Sequence, residues 1–99
     1  MNFFEWDETK NRENIEERGI DFDDAISIFG GDTLEHVDDR FDYGEVRIVA
    51  YGESAGKVLA LVYTMCGDVC RIISARIANR NERRKYYAAH PERPPDRSD

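Results

Sequence analysis

Cysteine is scarce in this chain, and the two present, Cys66 and Cys70, exclude two architectures. Two thiols cannot build a disulfide scaffold, and they fall short of the four ligands of a structural zinc site. They flank Gly67, Asp68 and Val69. A two-residue turn at Gly67 and Asp68 would set Cys66 opposite Val69 and Cys70 on the other face, whereas a three-residue loop would let the sulfurs approach. Free thiols are the expectation in a reducing compartment. Long apolar runs are also missing, since none approaches the roughly 20 residues that cross a bilayer. The opening MNFFEWDE has neither the basic end nor the apolar stretch of a secretion signal, so a cytoplasmic protein with no membrane partner is expected. Proline occurs only at positions 91, 94 and 95, where it forbids regular structure. Residues 90–99 are therefore expected to form a flexible polar tail on a single domain of residues 1–89. There is no internal repeat.

What the chain does contain is enough for one fold. Its 99 residues, 40% hydrophobic and 35% charged with 11% aromatic, describe one ordinary globular domain. The net charge of -7 hides a division along the chain. Residues 1–44 hold fourteen acids against four bases, while residues 45–99 hold seven acids against ten bases. Between 71 and 85 the cations Arg71, Arg76, Arg80, Arg83, Arg84 and Lys85 face only Glu82. Contact with a polyanion depends on the local field, which is screened beyond about 10 Å at moderate salt. An acidic protein can thus carry a cationic site.

The pattern reads as a short aromatic strand at FFEW, then a helix capped by Asp7 and stopped by Gly19, with Ile15 as its thin apolar face. A second helix starts at Asp21, with Phe22, Ala25, Ile26 and Phe29 as its core stripe, and ends at Gly30 and Gly31. Period-two segments follow at TLEHV, EVRIVAYG, KVLALVYTM and VCRIISAR, with Gly52 and Gly56 read as parts of a hairpin turn. Asp38, Asp39, Asp42 and Glu45 fall in the intervening polar loop, at a spacing that does not match a calcium-binding loop. Asn79 caps a last helix, with Glu82 completing a capping box. The expected fold is α+β: an antiparallel meander of about four or five strands with two N-terminal helices and one C-terminal helix.

On a regular last strand, Arg71, Ile73 and Ala75 point one way and Cys70, Ile72, Ser74 and Arg76 the other. Arg80, Arg83, Arg84 and Tyr87 share one side of the following helix. Together with Arg47 and Tyr51 from a neighbouring strand, they describe a concavity of guanidinium forks and aromatic rings, which suits the phosphates and bases of single-stranded RNA. The plainer alternative is a solvated arginine face with tyrosines packing the helix on the sheet. If RNA is cut without a metal, the 2'-hydroxyl must lose a proton, the phosphorane needs cations and the leaving oxygen must be protonated. Arginine supplies the cations but rarely exchanges protons. His36, the only histidine inside the expected domain, is the candidate for proton exchange, with a tyrosine as alternative. Arg76, Arg47, Arg80 and His36 are the expected catalytic set, Arg71, Arg83, Arg84, Tyr51 and Tyr87 the expected RNA contacts, and no metal or cofactor is expected.

The opening FEWDETKNRENIEERGIDFDDAISIF, with Phe4, Trp6, Asp7, Lys10, Asn14, Gly19, Phe22, Ala25 and Phe29, resembles the start of the BrnT family of bacterial type II toxins. Asp38, Gly44, Arg47 and Gly52 extend the likeness, and RIISARIANRNERRKYY is its most distinctive part. The resemblance implies a fold related to RelE-type ribonucleases and inhibition of translation by RNA cleavage. It also implies neutralisation by a BrnA-type ribbon-helix-helix antitoxin, through which alone DNA would be contacted. One departure stands out: Glu17 and Arg18 occupy the place where the family commonly has a Lys-His pair. A noncatalytic module that binds an acidic partner or an antitoxin is the alternative function.

Overall fold

The computed structural model describes residues 3–40 and 42–92. Phe3–Glu5 forms a short strand, β1, with Phe4 half-buried between exposed neighbours. Asp7 accepts from the backbone N–H groups of Thr9 and Lys10, and Glu8–Arg18 forms α1, which Gly19 ends in the left-handed conformation at φ 71°. Asp21 caps Phe22–Ala25, α2, which tightens at once into a 3-10 helix over Ile26–Gly30. The expected second helix is thus one α-turn and a 3-10 segment. The tighter winding carries Ile28 fully into the core, while Phe29, half-buried, packs against its edge.

The strands Leu34–Asp38 (β2), Arg47–Ser54 (β3), Lys57–Cys66 (β4) and Val69–Ile77 (β5) then form the sheet, and Arg80–Ala89 forms α3. Its order is β1-β5-β4-β3-β2. The last four strands are an antiparallel meander as expected, but β1 lies parallel to β5, so the sheet is mixed. The N-terminal strand crosses to the edge opposite β2 because its aromatic neighbours find their core there: Phe4 stacks on Phe29 and Trp6 meets Phe22 edge-on. No helix among the described residues is long and apolar enough to cross a membrane.

Each face of the sheet has its own core. On one, Phe22, Ala25 and Ile28 from the N-terminal helices pack on Ala50, Leu61, Tyr63 and Ile72. On the other, Tyr86 and Ala78 pack on Val49, Tyr51, Val58 and Ala60. Coverage on this second side is incomplete, because α3 is the one helix there among the described residues.

The inner side of α1 is polar. Ile15 is 39% exposed, and the buried positions are Asn11 and Asn14, which corrects the expected apolar face. Asn14 donates through Nδ2 to the carbonyls of Ile20 and Ala75, and its Oδ1 accepts from the Ala75 N–H. Asn11 accepts from the Phe22 N–H and donates to Asp21. The reason lies in the sheet: β1 pairs with β5 only as far as Arg71, so the free edge beyond needs other partners. An amide, with a donor and an acceptor side by side, pairs with one residue of an open strand edge as another strand would.

Two further features shape the site. Val62 pairs with Ser74 and Tyr63 with Ile72, leaving Ile73 as an extra residue in β5. This bulge resets the alternation, so Cys70, Ile72 and Ala75 share the N-terminal helix side while Ser74 and Arg76 face α3. Gly52 is an interior residue of β3, paired with Leu59, and the hairpin turn is Ala55-Gly56, both at positive φ. A Cβ at Gly52 would lie 2.7 Å from Cβ of Ile28, so glycine is what lets the 3-10 helix touch the sheet. The second hairpin turns at Gly67 and Asp68, with Cys66 opposite Val69, and both cysteines are free thiols. Of the expected tail, His90 is half-buried and caps α3, and residues 93–99 lie outside the described residues.

Candidate active site

Between α3 and the uncovered part of the sheet lies a cleft of about 420 Å³. Its floor is Val49, Tyr51, Val62 and Ser74, and its walls carry Arg76, Glu82, His36 and Asp38. Arg18 and Arg40 stand at its rim and are exposed. Each position has a local cause. The bulge at Ile73 turns Arg76 to this side, the Asn79 capping box brings Glu82 over the sheet, and the pairing of His36 with Val49 sets the imidazole near Tyr51. Gly19 ends α1 so that Arg18, its last residue, reaches the same opening.

Arg76 is held by Glu82. Its Nη1 and Nη2 donate to the two carboxylate oxygens of Glu82 at 2.6 and 2.8 Å, and Nη1 also reaches the Ile77 carbonyl at 3.4 Å. A guanidinium has five N–H donors. The Nε–H and the second Nη2–H form the other edge of the fork, which no described residue occupies and which can take an oxyanion in bidentate fashion. The carboxylate of Glu82 raises the Arg76 pKa further, so its charge is permanent.

Glu82 also accepts from the Tyr51 hydroxyl at 3.0 Å and from the Asn79 N–H at 2.8 Å. Arg76 foremost, aided by that backbone N–H, holds its carboxyl down at about 2. Tyr51 moves the other way: burial, then its bond to the Glu82 carboxylate, pushes the phenol up to about 12. Tyr51 is therefore no proton acceptor, and neither is Glu82. His36 is exposed, its ring centroid 5.6 Å from that of Tyr51. Asp38 is buried and bound in bidentate fashion by Arg40, at 2.8 and 3.0 Å, which brings its carboxyl to about 2.

Of the expected catalytic set, Arg76 and His36 meet in this cleft, and Tyr51 joins them with its ring buried. The rest lie elsewhere. Arg47 shares the face of Val49 and Tyr51 but pairs with Glu45 at 3.2 Å and stacks 4.0 Å over the Tyr43 ring. Arg71 sits at the far end of β5, about 15 Å along the strand by residue rise, in an ion pair with Glu5. Arg80 and Arg84 are exposed on the side of α3 away from Tyr86, because helical spacing that turns Glu82 and Tyr86 inward turns them outward. Arg83 folds back to the Ala78 carbonyl at 3.0 Å, and Tyr87 packs edge-on against Tyr86. The expected convergence of strand and helix cations thus reduces to Arg76.

The cations missed by sequence reasoning are Arg18 and Arg40. Arg18 had a signal, since it stands where the resembling family carries its histidine. Arg40 had none, because a guanidinium in a polar loop is the commonest of surface features. The family described as "Ribonuclease toxin, BrnT, of type II toxin-antitoxin system" matches residues 6–82, a span that contains every residue lining this cleft. No curated protein matches the chain.

Proposed function

Because the chain belongs to the BrnT family of type II toxin-antitoxin ribonuclease toxins, we propose that it is an endoribonuclease that cleaves single-stranded RNA in the α3 cleft and thereby inhibits translation. The observation that carries this reading is the free edge of Arg76, held by Glu82 and turned to an open cleft that His36 also lines. In this mechanism Arg76 binds two non-bridging oxygens of the scissile phosphate. Arg18 and Arg40 add positive charge at the rim, where a divalent ion would otherwise be needed, so the chemistry requires no metal. His36 removes the 2'-hydroxyl proton, the 2'-oxygen attacks phosphorus, and the 5'-oxygen leaves with a proton from solvent. A 2',3'-cyclic phosphate and a free 5'-hydroxyl result. Glu82 and Tyr51 position Arg76.

The antitoxin partner is proposed to be of the BrnA type, with DNA contacted only through it. A second reading, a binding module without catalysis, is favoured by one observation: Asp38, Asp39 and Glu82 line the cleft beside Arg18, Arg40 and Arg76, so carboxylates match guanidiniums in number. The two readings separate on purified protein incubated with single-stranded RNA in EDTA. The nuclease reading expects cleavage to cyclic phosphate, a loss of about 10²–10⁴-fold in His36→Ala, about 10²–10³-fold in Arg76→Ala, and little change in Arg71→Ala. Absence of cleavage by the unmodified protein across pH 5 to 9 leaves only the binding module.

A further inference from the structure

At the end of α3 away from Glu82, three potential ligands from two segments converge. Asp32 precedes β2, His90 caps the C-terminus of α3, and Glu92 follows in the next turn. One ligand atom from each lies within 4.8 Å of the others. The His90 ring packs against Tyr86, centroids 5.0 Å apart, and the Tyr86 hydroxyl donates to the Asp32 carbonyl at 2.9 Å, so both segments are anchored to the same buried side chain.

The tautomer of the neutral imidazole follows from its neighbours. His90 Nε2 stands 3.2 Å from the Thr33 carbonyl oxygen. A carbonyl only accepts, so Nε2 carries the proton and the lone pair of the neutral ring sits on Nδ1. Nδ1 is the nitrogen that faces Glu92, with Oε1 3.8 Å away. That gap is too long for a hydrogen bond. It is within the span of two ligands sharing one ion at about 2.0–2.2 Å each. A backbone carbonyl on the far nitrogen is also what fixes the tautomer and raises the basicity of metal-bound histidines. The last turn of α3 has no basic residue, so the negative end of the helix dipole favours a cation there.

We propose that Asp32, His90 and Glu92 bind one divalent transition-metal ion that staples the C-terminus of α3 to the turn before β2. One imidazole nitrogen and two carboxylate oxygens suit a zinc-like ion, whereas magnesium and calcium favour shells of oxygen alone. Three protein ligands leave a position for water. The ion takes no part in the cleft chemistry. Its effect there is indirect, since α3 also carries Glu82, which positions Arg76.

The test uses the full chain carrying Cys66→Ser, which removes the exposed thiol as a competing ligand, stripped with chelator and titrated with zinc by calorimetry. One ion per chain is expected, with a rise in melting temperature, and magnesium at the same concentration should give no such rise. Asp32→Asn and Glu92→Gln should each weaken binding about tenfold or more, and His90→Ala should abolish it. Because His90 also packs on Tyr86, Glu92→Gln is the decisive variant: Glu92 is exposed, and its loss leaves the packing intact. A proton-detected nitrogen spectrum should show the zinc-dependent shift at His90 Nδ1 and not at His36. No saturable one-to-one binding below millimolar zinc, or affinity unchanged in Glu92→Gln, overturns the site. An equal response to magnesium overturns its assignment to a transition ion.

Discussion

Glu82 accepts two hydrogen bonds from Arg76, one from Tyr51 and one from the Asn79 backbone, so a single carboxylate joins helix, strand and floor of the cleft. Its folded-state pKa of about 2 lies below the ordinary 4.5, so the folded protein favours the ionised form. The resulting stabilisation is complete above about pH 4.5 and is lost as pH falls towards 2. Asp38, at about 2 against 3.8, adds a contribution of the same sign over that lower window. Denaturant titrations between pH 6 and 2 should show stability falling with acid, and Glu82→Gln should flatten that slope. At neutral pH the same variant should cost about 2 kcal/mol. This is below the roughly 3–5 kcal/mol of breaking a fully buried pair, because the Arg76 side chain is 37% exposed. It should also slow RNA cleavage, since the guanidinium then swings free.

At the scale of elements, α1 is attached to the sheet by amides and the 3-10 helix by the absence of a side chain. Asn14→Ala strands the N–H and carbonyl of Ala75 and the carbonyl of Ile20, and should cost about 3 kcal/mol at about 1–3 kcal/mol per buried unsatisfied group. Gly52→Ala should cost about 1–3 kcal/mol through overpacking against Ile28, with its effect on melting temperature read by calorimetry. Existence and order of elements were legible, because Asp7, Gly19, Asp21 and Asn79 are local signals that act within one turn. The parallel pairing of β1 was not, since a three-residue strand carries no mark of its partner. Nor was the bulge: Ile73 looks like any other residue of an apolar strand, and its effect appears only in the register with β4. That single residue is why strict alternation misassigned the faces of β5. It placed Arg76 correctly beside Ser74 but set both with Cys70 and Ile72. The helical cations failed for a simpler reason, that charge spacing on a helix does not say which side the core takes, and Tyr86 settles that for α3.

For the whole molecule, the overall negative charge and the guanidiniums of the proposed RNA cleft would act on RNA over different distances. The net charge of -7 repels a polyanion at long range, whereas on the proposed reading Arg18, Arg40 and Arg76 attract it on contact. Added salt first screens the repulsion and then weakens the contacts. The rate constant kcat/KM for RNA cleavage should therefore rise between about 10 and 100 mM salt and fall above that range, in contrast to the steady decline of a basic nuclease. A monotonic fall from the lowest salt would show that the acidic surfaces do not reach the approaching RNA.

The parallel seam between β1 and β5 has a temporal consequence. Residues 3–5 wait for residues 69–71, and Asn14 waits for Ala75, so during synthesis the N-terminal segment emerges with nothing to dock against. Such distant pairings make assembly slow relative to local helix formation. A half-made chain has neither a closed sheet nor Arg76, so the cleft cannot assemble until β5 and the first turn of α3 have emerged to meet the segments that waited for them.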